Sequence, residues 1–218
     1  MNAAQIWEVT SLLPPVVLWL SLVVAAYSFK HLDMASKWLS AFMLMSCLID
    51  LTSRYVGDNL FLLPILGFFE LLIFSVLYYK HWLRSDSKIF LAVIVGIVVL
   101  IIVDTIFLGN LFAVEEYRSY GKVISSLAIM GYGLMFIGKA VGGKIRPTPA
   151  EMRLNASVLG YFSVSCLISL SVNFLVNEHL DLVRAFWQFY LLVTVFFYSH
   201  IIFHIWRTGR TRKRLRFG

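Results

Sequence analysis

The sequence predicts an all-α polytopic membrane protein with seven transmembrane helices. Seven apolar runs of about twenty residues, nearly free of charge, are each long enough to cross a bilayer as a helix. The chain is 60% hydrophobic and only 14% charged, whereas soluble domains carry roughly 45–50% apolar and about 25% charged residues. The runs are also too long and too uniformly apolar for the strands of a barrel. The predicted spans are 12–29, 38–56, 60–80, 89–109, 119–139, 155–176 and 182–206.

These spans occupy most of the 218 residues, which predicts a single transmembrane domain over 1–218 with a basic tail over 207–218. The first run lacks a positively charged start and follows Glu8, so we interpret it as a span and not as a cleavable signal. Cys47 and Cys166 both fall within spans and do not predict a disulfide. The longest connection, Ala140 to Arg153, contains two glycines and two prolines and is interpreted as a hinge between helices 5 and 6.

The basic residues predict the orientation of the chain. Alternate connections together with the C-terminus carry fifteen lysines and arginines, against four on the other side, among them Lys122. The positive-inside rule then predicts an N-terminus outside the cell membrane and a cytoplasmic C-terminus. This asymmetry accounts for the net charge of +7 without nucleic acid, and no basic face for nucleic acid is found. Tyr78 and Trp82, near a span end, are predicted interfacial anchors.

The basic cytoplasmic face is predicted to meet two kinds of partner. The segment Arg207 to Arg216 is a polybasic stretch directly after a span, and such stretches contact anionic lipid. The same face is available to a cytoplasmic protein partner.

Polar side chains within spans 2, 3, 4, 6 and 7 predict a polar cavity in the outer half of the bundle. Ionisable groups in a span are costly and usually face the bundle interior. Glu70 falls near the bilayer midplane, and Asp50 and Arg54 are one helical turn apart and can pair. The alternative interpretation is that these groups only join helices by hydrogen bonds. The candidate ligand-binding residues are Glu70, Asp50, Arg54, Asp104, Asn173, Arg184 and Gln188.

This set of residues leaves two functions open. The first is a sensor or receptor-like protein that binds a small polar ligand in an outward-facing cavity, a binding protein and not an enzyme. The second is a small proton-coupled carrier in which Glu70 takes up and releases the proton.

A third function rests on two histidines in the last span. His200 and His204 are four residues apart and can present both rings to one metal ion. This spacing is similar to the His-x-x-x-His of the seven-helix zinc hydrolases that act on lipid amides, a resemblance that implies zinc chemistry. The family also has a Ser-x-x-x-His on helix 2, where this chain has Ser46-x-x-x-Asp50. Apart from such a metal we expect no cofactor, since the last span has no lysine to hold retinal.

Overall fold

The computed structural model describes residues 3–56, 61–84, 87–108, 120–178 and 180–217. Within them, seven helices are long and apolar enough to cross a membrane, so the predicted fold class is confirmed. The protein is therefore an integral, multi-pass membrane protein. The helices are α1 (Ala3–Ser28), α2 (Met34–Tyr55), α3 (Leu62–Val76), α4 (Lys88–Val103), α5 (Gly121–Val141), α6 (Pro149–Glu178) and α7 (Leu180–Phe217).

Two helices end in wider π-helical turns. α3 continues as the π-helical segment Leu77–Trp82, and α4 continues as Asp104–Leu108. After the first of these, Arg84 has a φ of 46°, a left-handed conformation that is unfavourable for a residue with a side chain. These irregular ends lie on opposite faces of the bundle, since consecutive helices alternate in direction. We call the face where α1 begins the N-terminal face, and the face where α7 ends the C-terminal face.

The start of α6 differs from the sequence-based prediction, and a capping box explains why. The Thr148 backbone N–H donates to Glu151 Oε2 at 2.6 Å, and the Glu151 N–H donates to Thr148 Oγ1 at 3.2 Å. This reciprocal pair starts a helix at Pro149, a residue suited to the first helical position. The connection predicted as Ala140 to Arg153 is therefore shorter, because helical structure continues to Val141 and resumes at Pro149.

Six of the helices form a closed ring in the order α1, α2, α3, α5, α6 and α7, and α7 packs back onto α1. α4 lies outside this ring, against α3 and α5. It is also the most apolar span, with a mean hydropathy of 3.1, and most of its side chains are exposed on the bundle surface. A helix that is apolar on all sides suits contact with lipid tails.

Four phenylalanines fill the interior of the ring. Phe42 on α2 meets Phe74 on α3 edge to face, with ring centroids 5.2 Å apart, and Phe74 meets Phe162 on α6 at 5.1 Å. Phe197 on α7 completes the cluster, 6.0 Å from Phe42. Edge-to-face pairs at this separation are favourable. These central phenylalanines lie near the middle of their helices and separate the N-terminal half of the interior from the C-terminal half.

The basic tail continues the last helix. α7 extends to Phe217 instead of ending near Trp206. At Gly209 the helix approaches α1 so closely that an added Cβ would lie 2.7 Å from the Cβ of Ser28. Beyond it, Arg212 Nη2 lies 3.8 Å from Asp33 Oδ2. The positive charges at this end of α7 also interact favourably with the negative end of the helix dipole.

Candidate functional site

Glu70 on α3 forms a buried ion pair with Lys122 on α5, in which Lys122 Nζ donates to Glu70 Oε2. Both residues are at most 2% exposed. The ring of Phe162 lies 5.8 Å from Lys122 Nζ and adds a cation–π contact. The sequence grouped Lys122 with the basic residues of the N-terminal face; it is the second residue of α5, and its side chain turns into the bundle. The second Glu70 oxygen, Oε1, has no hydrogen-bond partner among the described residues.

A glycine on α3 lets the two helices come close enough for this ion pair. An added Cβ at Gly67 would lie 3.0 Å from the Lys122 Cα and 2.8 Å from Ser125 Oγ. Small residues of this kind permit close backbone approach between membrane helices. Since Gly67 and Glu70 are three residues apart, they lie on the same face of α3. The sequence thus places the carboxylate beside the position where α5 begins.

Asp104 holds the beginning of α5. Its Oδ2 accepts hydrogen bonds from the backbone N–H groups of Tyr120 at 3.0 Å and Gly121 at 2.7 Å. Asp104 is 3% exposed, and a carboxylate at a helix N-terminus satisfies unpaired N–H groups and favours the helix dipole. This predicted ligand-binding residue is therefore engaged in the attachment of α4 to α5.

Asp50 and Arg54 form the ion pair that their spacing predicts. Arg54 Nε donates to Asp50 Oδ2 at 3.0 Å, and one Arg54 Nη2 hydrogen bond reaches the Ser11 carbonyl oxygen on α1 at 2.9 Å. The two side chains are 24% and 40% exposed, Asp50 being the less exposed. The pair therefore links α2 to α1 near the N-terminal face and remains accessible.

A cavity of about 410 Å³ lies in the N-terminal half of the bundle between α1, α2, α3, α6 and α7. The lining that the structure describes is mainly aliphatic and aromatic, with one carboxylate, Asp50, and several hydroxyl groups. Ligand pockets of proteins typically have volumes of about 300–1,000 Å³ and linings of this mixed kind. The lining residues are Pro14, Leu18, Ser46, Ile49, Asp50, Ser53, Leu62, Leu63, Leu66, Tyr161, Val172, Val183, Trp187, Tyr190, Leu191, Thr194 and Tyr198.

A row of hydroxyl groups leads from this cavity toward the buried ion pair. Tyr161 and Tyr190 line the cavity and share a hydrogen bond of 2.8 Å. Tyr190 lies 3.5 Å from Ser165, which in turn lies 3.5 Å from Ser126 on α5. Ser126 follows Lys122 by one helical turn on the same face. The hydroxyl row thus links three helices and ends beside the ion pair.

The structure brings only part of the predicted ligand-binding set to the cavity. Asp50 lines it, and Arg54 is bonded to Asp50. Leu66 lines the cavity, but Glu70, one helical turn further along α3, does not. Asp104 and Gln188 do not line the cavity either. The side chains of Asn173 and Arg184 lie outside the described part of the structure.

A second buried network in the C-terminal half was not predicted. The Tyr78 hydroxyl donates to Asn155 Oδ1 at 2.6 Å, and Asn155 Nδ2 donates to the Gly133 carbonyl oxygen at 3.3 Å. Tyr78 and Trp82 are both buried, at 0% and 4% exposure. The prediction that they are interfacial anchors was therefore wrong for the side chains, which pack inside the bundle.

His200 and His204 do not assemble with further ligands among the described residues, where no group of three or more His, Cys, Asp or Glu side chains could hold a metal ion. His200 Nδ1 instead hydrogen-bonds with the Ser157 hydroxyl on α6. The zinc hypothesis stays a prediction without support from the geometry.

Comparison with known protein families, curated proteins and solved structures finds no match to this chain.

Proposed function

We propose that this membrane protein is a receptor-like sensor that binds a small amphipathic ligand in the cavity between α1, α2, α3, α6 and α7. The observation that carries the proposal is the cavity itself, about 410 Å³, whose described lining is largely apolar and contains one carboxylate, Asp50. The outward orientation and the location in the cell membrane, predicted from the basic residues, belong to this proposal. A cytoplasmic partner would then meet the basic C-terminal face.

The lining favours an apolar ligand body with one cationic or hydrogen-bond-donating group. Asp50 accepts hydrogen bonds from Arg54, so a ligand ammonium group would compete with a side chain already in place. Tyr190 and Thr194 add hydroxyl groups, and Trp187 offers an aromatic face that a cation favours. This chemistry narrows the small polar ligand predicted from the sequence to an amphipathic one, because most of the remaining lining is aliphatic.

Octylamine is a suitable first probe, with octanoate as the probe of opposite charge. We expect saturable quenching or shift of Trp187 fluorescence by octylamine but not by octanoate, in purified protein in detergent. Comparison with the Trp187→Phe variant shows which part of the fluorescence change comes from Trp187. Asp50→Asn should weaken octylamine binding at least tenfold, a fold-change that corresponds to about 1.4 kcal/mol. Asp33→Asn, which removes an acid from the C-terminal face, is the matched control and should bind as the wild type does.

A volume test separates the cavity from simple partitioning into detergent. Leu66→Phe adds bulk to the cavity lining, whereas Leu167→Phe adds the same bulk on the outer surface, where Leu167 is 64% exposed. Only the first should lower octylamine affinity. A linear signal without saturation, equal in all variants, would rule out the proposed site.

The carrier function is the second candidate, and the Glu70–Lys122 pair favours it. One carboxylate oxygen without a hydrogen-bond partner can accept a proton, and the hydroxyl row ends one turn from Lys122. The central phenylalanines argue for the sensor instead, since they fill the interior beyond the cavity. Proton flux into liposomes with a trapped pH dye distinguishes the two. A carrier loses flux in Glu70→Gln and in Ser165→Ala but keeps it in Ser169→Ala, whereas a sensor gives no flux in any of them.

A further inference from the structure

A second cavity, of about 510 Å³, lies at the C-terminal face and carries an unusual concentration of positive charge. It lies between the end of α3, the end of α5 and the α5–α6 connection. Four of its lining residues are cations: Arg84, Lys139, Lys144 and Arg146. We call it the cationic pocket. It is separate from the ligand cavity, which lies in the other half of the bundle.

The positive charge of the pocket exceeds what its surroundings neutralise. Among the residues of the lining that the structure describes, Glu151 is the only acid, and it already accepts the hydrogen bond from the Thr148 N–H. Four cations and one acid leave a formal charge of +3. The carbonyl ends of α3 and α5 each contribute about −0.5, and the start of α6 about +0.5. A net charge of about +2.5 therefore remains for an anion to balance.

Three of the four cations are also free to bind. Lys139 Nζ donates to the Leu83 carbonyl oxygen at 3.4 Å, and so it serves the end of α3. The side chains of Arg84, Lys144 and Arg146 have no hydrogen-bond or ion-pair partner among the described residues, and all three are exposed. Arg84 additionally has the left-handed φ of 46°, and strained residues of this kind cluster at functional sites.

The floor of the pocket is apolar. Trp82 and Phe136 line it and are buried, and their rings lie 5.6 Å apart. The pocket lies where the basic end of the bundle meets its membrane-spanning part. It therefore combines guanidinium and ammonium groups with an aromatic floor. Arginine and lysine in this combination recognise phosphate groups, arginine through paired hydrogen bonds.

We propose that the cationic pocket binds a phosphate group, supplied either by the headgroup of an anionic phospholipid or as the free ion. Arg84, Lys144 and Arg146 hold the phosphate oxygens, and a lipid would lay its glycerol region along Trp82 and Phe136. The site is distinct from the α7 tail, whose cations Arg210 and Lys213 lie over the rings of Trp206 and Tyr27. It does not depend on the sensor function proposed above.

Native mass spectrometry of the full chain in detergent tests the pocket by measuring how much lipid stays bound. Phosphatidylglycerol is compared with phosphatidylcholine that has the same acyl chains. The test variant is Arg84→Gln with Lys144→Gln and Arg146→Gln. The matched control is Lys30→Gln with Lys37→Gln and Lys88→Gln, which removes the same charge from the same face, outside both the cationic pocket and the α7 tail. Because the test variant loses three cations of the pocket, we expect it to bind phosphatidylglycerol at least tenfold more weakly. The control should change its affinity less than threefold.

Inorganic phosphate, added first without lipid and then in competition with phosphatidylglycerol, shows whether the bound phosphate group comes from the free ion or from a lipid headgroup. If phosphate binds the wild type at millimolar concentration and displaces phosphatidylglycerol, the pocket recognises the ion itself. If only the lipid binds, the aromatic floor contributes and the source is the headgroup. Equal losses in both triple variants, or none in either, would overturn the proposal. Thermal unfolding without lipid checks that the variants fold, and the single variant Lys144→Glu, in the exposed connection, repeats the test if the triple variant does not fold.

Discussion

Glu70 and Lys122 bury a carboxylate and an ammonium group against each other, and this ion pair joins α3 to α5 across 52 residues of sequence. Neither side chain is more than 2% exposed. Each charge is costly in this environment without the other. The pair therefore fixes the contact between two helices that are not neighbours in the sequence.

Removing one member of this pair should destabilise the protein more than removing both. Glu70→Leu and Lys122→Met each leave an unpaired buried charge, and we expect the free energy of unfolding to fall by about 3–5 kcal/mol in each. The double variant should recover most of this loss, since apolar side chains of similar volume can replace a buried pair. Equilibrium unfolding in detergent measures all three.

Lys88→Met is the control for this series, because Lys88 is an exposed residue at the start of α4. Its free energy of unfolding should stay within about 0.5 kcal/mol of the wild type. Losses that add up in the double variant would contradict the assignment of Glu70 and Lys122 as partners.

Gly67 and Gly96 form a matched pair for the approach of α5 to α3. Gly67→Ala brings a Cβ to 3.0 Å from the backbone of Lys122, whereas Gly96 has no atom within 4 Å of an added Cβ. We expect Gly67→Ala to cost about 1–3 kcal/mol through overpacking. Gly96→Ala should be neutral or stabilise by up to about 1 kcal/mol, the helix preference of alanine over glycine. Thermal unfolding compares them, and equal effects would contradict the close contact.

Asp104 should contribute more to stability than the other capping aspartate, Asp33. Asp104 is buried and accepts two backbone hydrogen bonds, whereas Asp33 is half-buried and accepts one, from the Ser36 N–H at 2.9 Å. We expect Asp104→Ala to cost about 2 kcal/mol and Asp33→Ala about 1 kcal/mol. Asp104→Asn, which keeps an acceptor oxygen, should lose less than Asp104→Ala. The reverse order in unfolding experiments would show that α5 does not depend on this cap.

The predicted orientation is open to a labelling experiment. Tyr55, at the end of α2, and Val141, at the end of α5, lie on opposite faces and are 88% and 83% exposed. In a chain without Cys47 and Cys166, Tyr55→Cys should react with a membrane-impermeant maleimide on intact cells. Val141→Cys should react only after permeabilisation. The opposite result would reverse the orientation inferred from the basic residues.

The sequence predicted the helices well because length and apolarity alone determine whether a segment spans a bilayer. It also contains a signal for the start of α6, since Thr148 and Glu151 have the spacing of a capping box that begins a helix. The extreme apolarity of α4 was a further readable sign that this helix faces lipid on most sides.

The contacts between helices could not be predicted in the same way. Asp50 and Arg54 are on one helix, where periodicity fixes their separation, and their pairing was predicted. Glu70 and Lys122 are on different helices, and their meeting depends on the packing of α3 against α5. Tyr78 follows Glu70 and Phe74 at four-residue steps on the inward face of α3, but the burial of this helix end depends on α6, where Asn155 accepts the Tyr78 hydrogen bond.

The contact between the first and last helices has a consequence for how the protein is made. Pro14 and Leu18 on α1 and Trp187 and Tyr190 on α7 all line the 410 Å³ cavity. During synthesis, α1 enters the bilayer before α7 and must wait for this packing partner until α7 has been inserted. The cavity is therefore complete only after α7 has joined the bundle, and a chain halted before α7 would lack it.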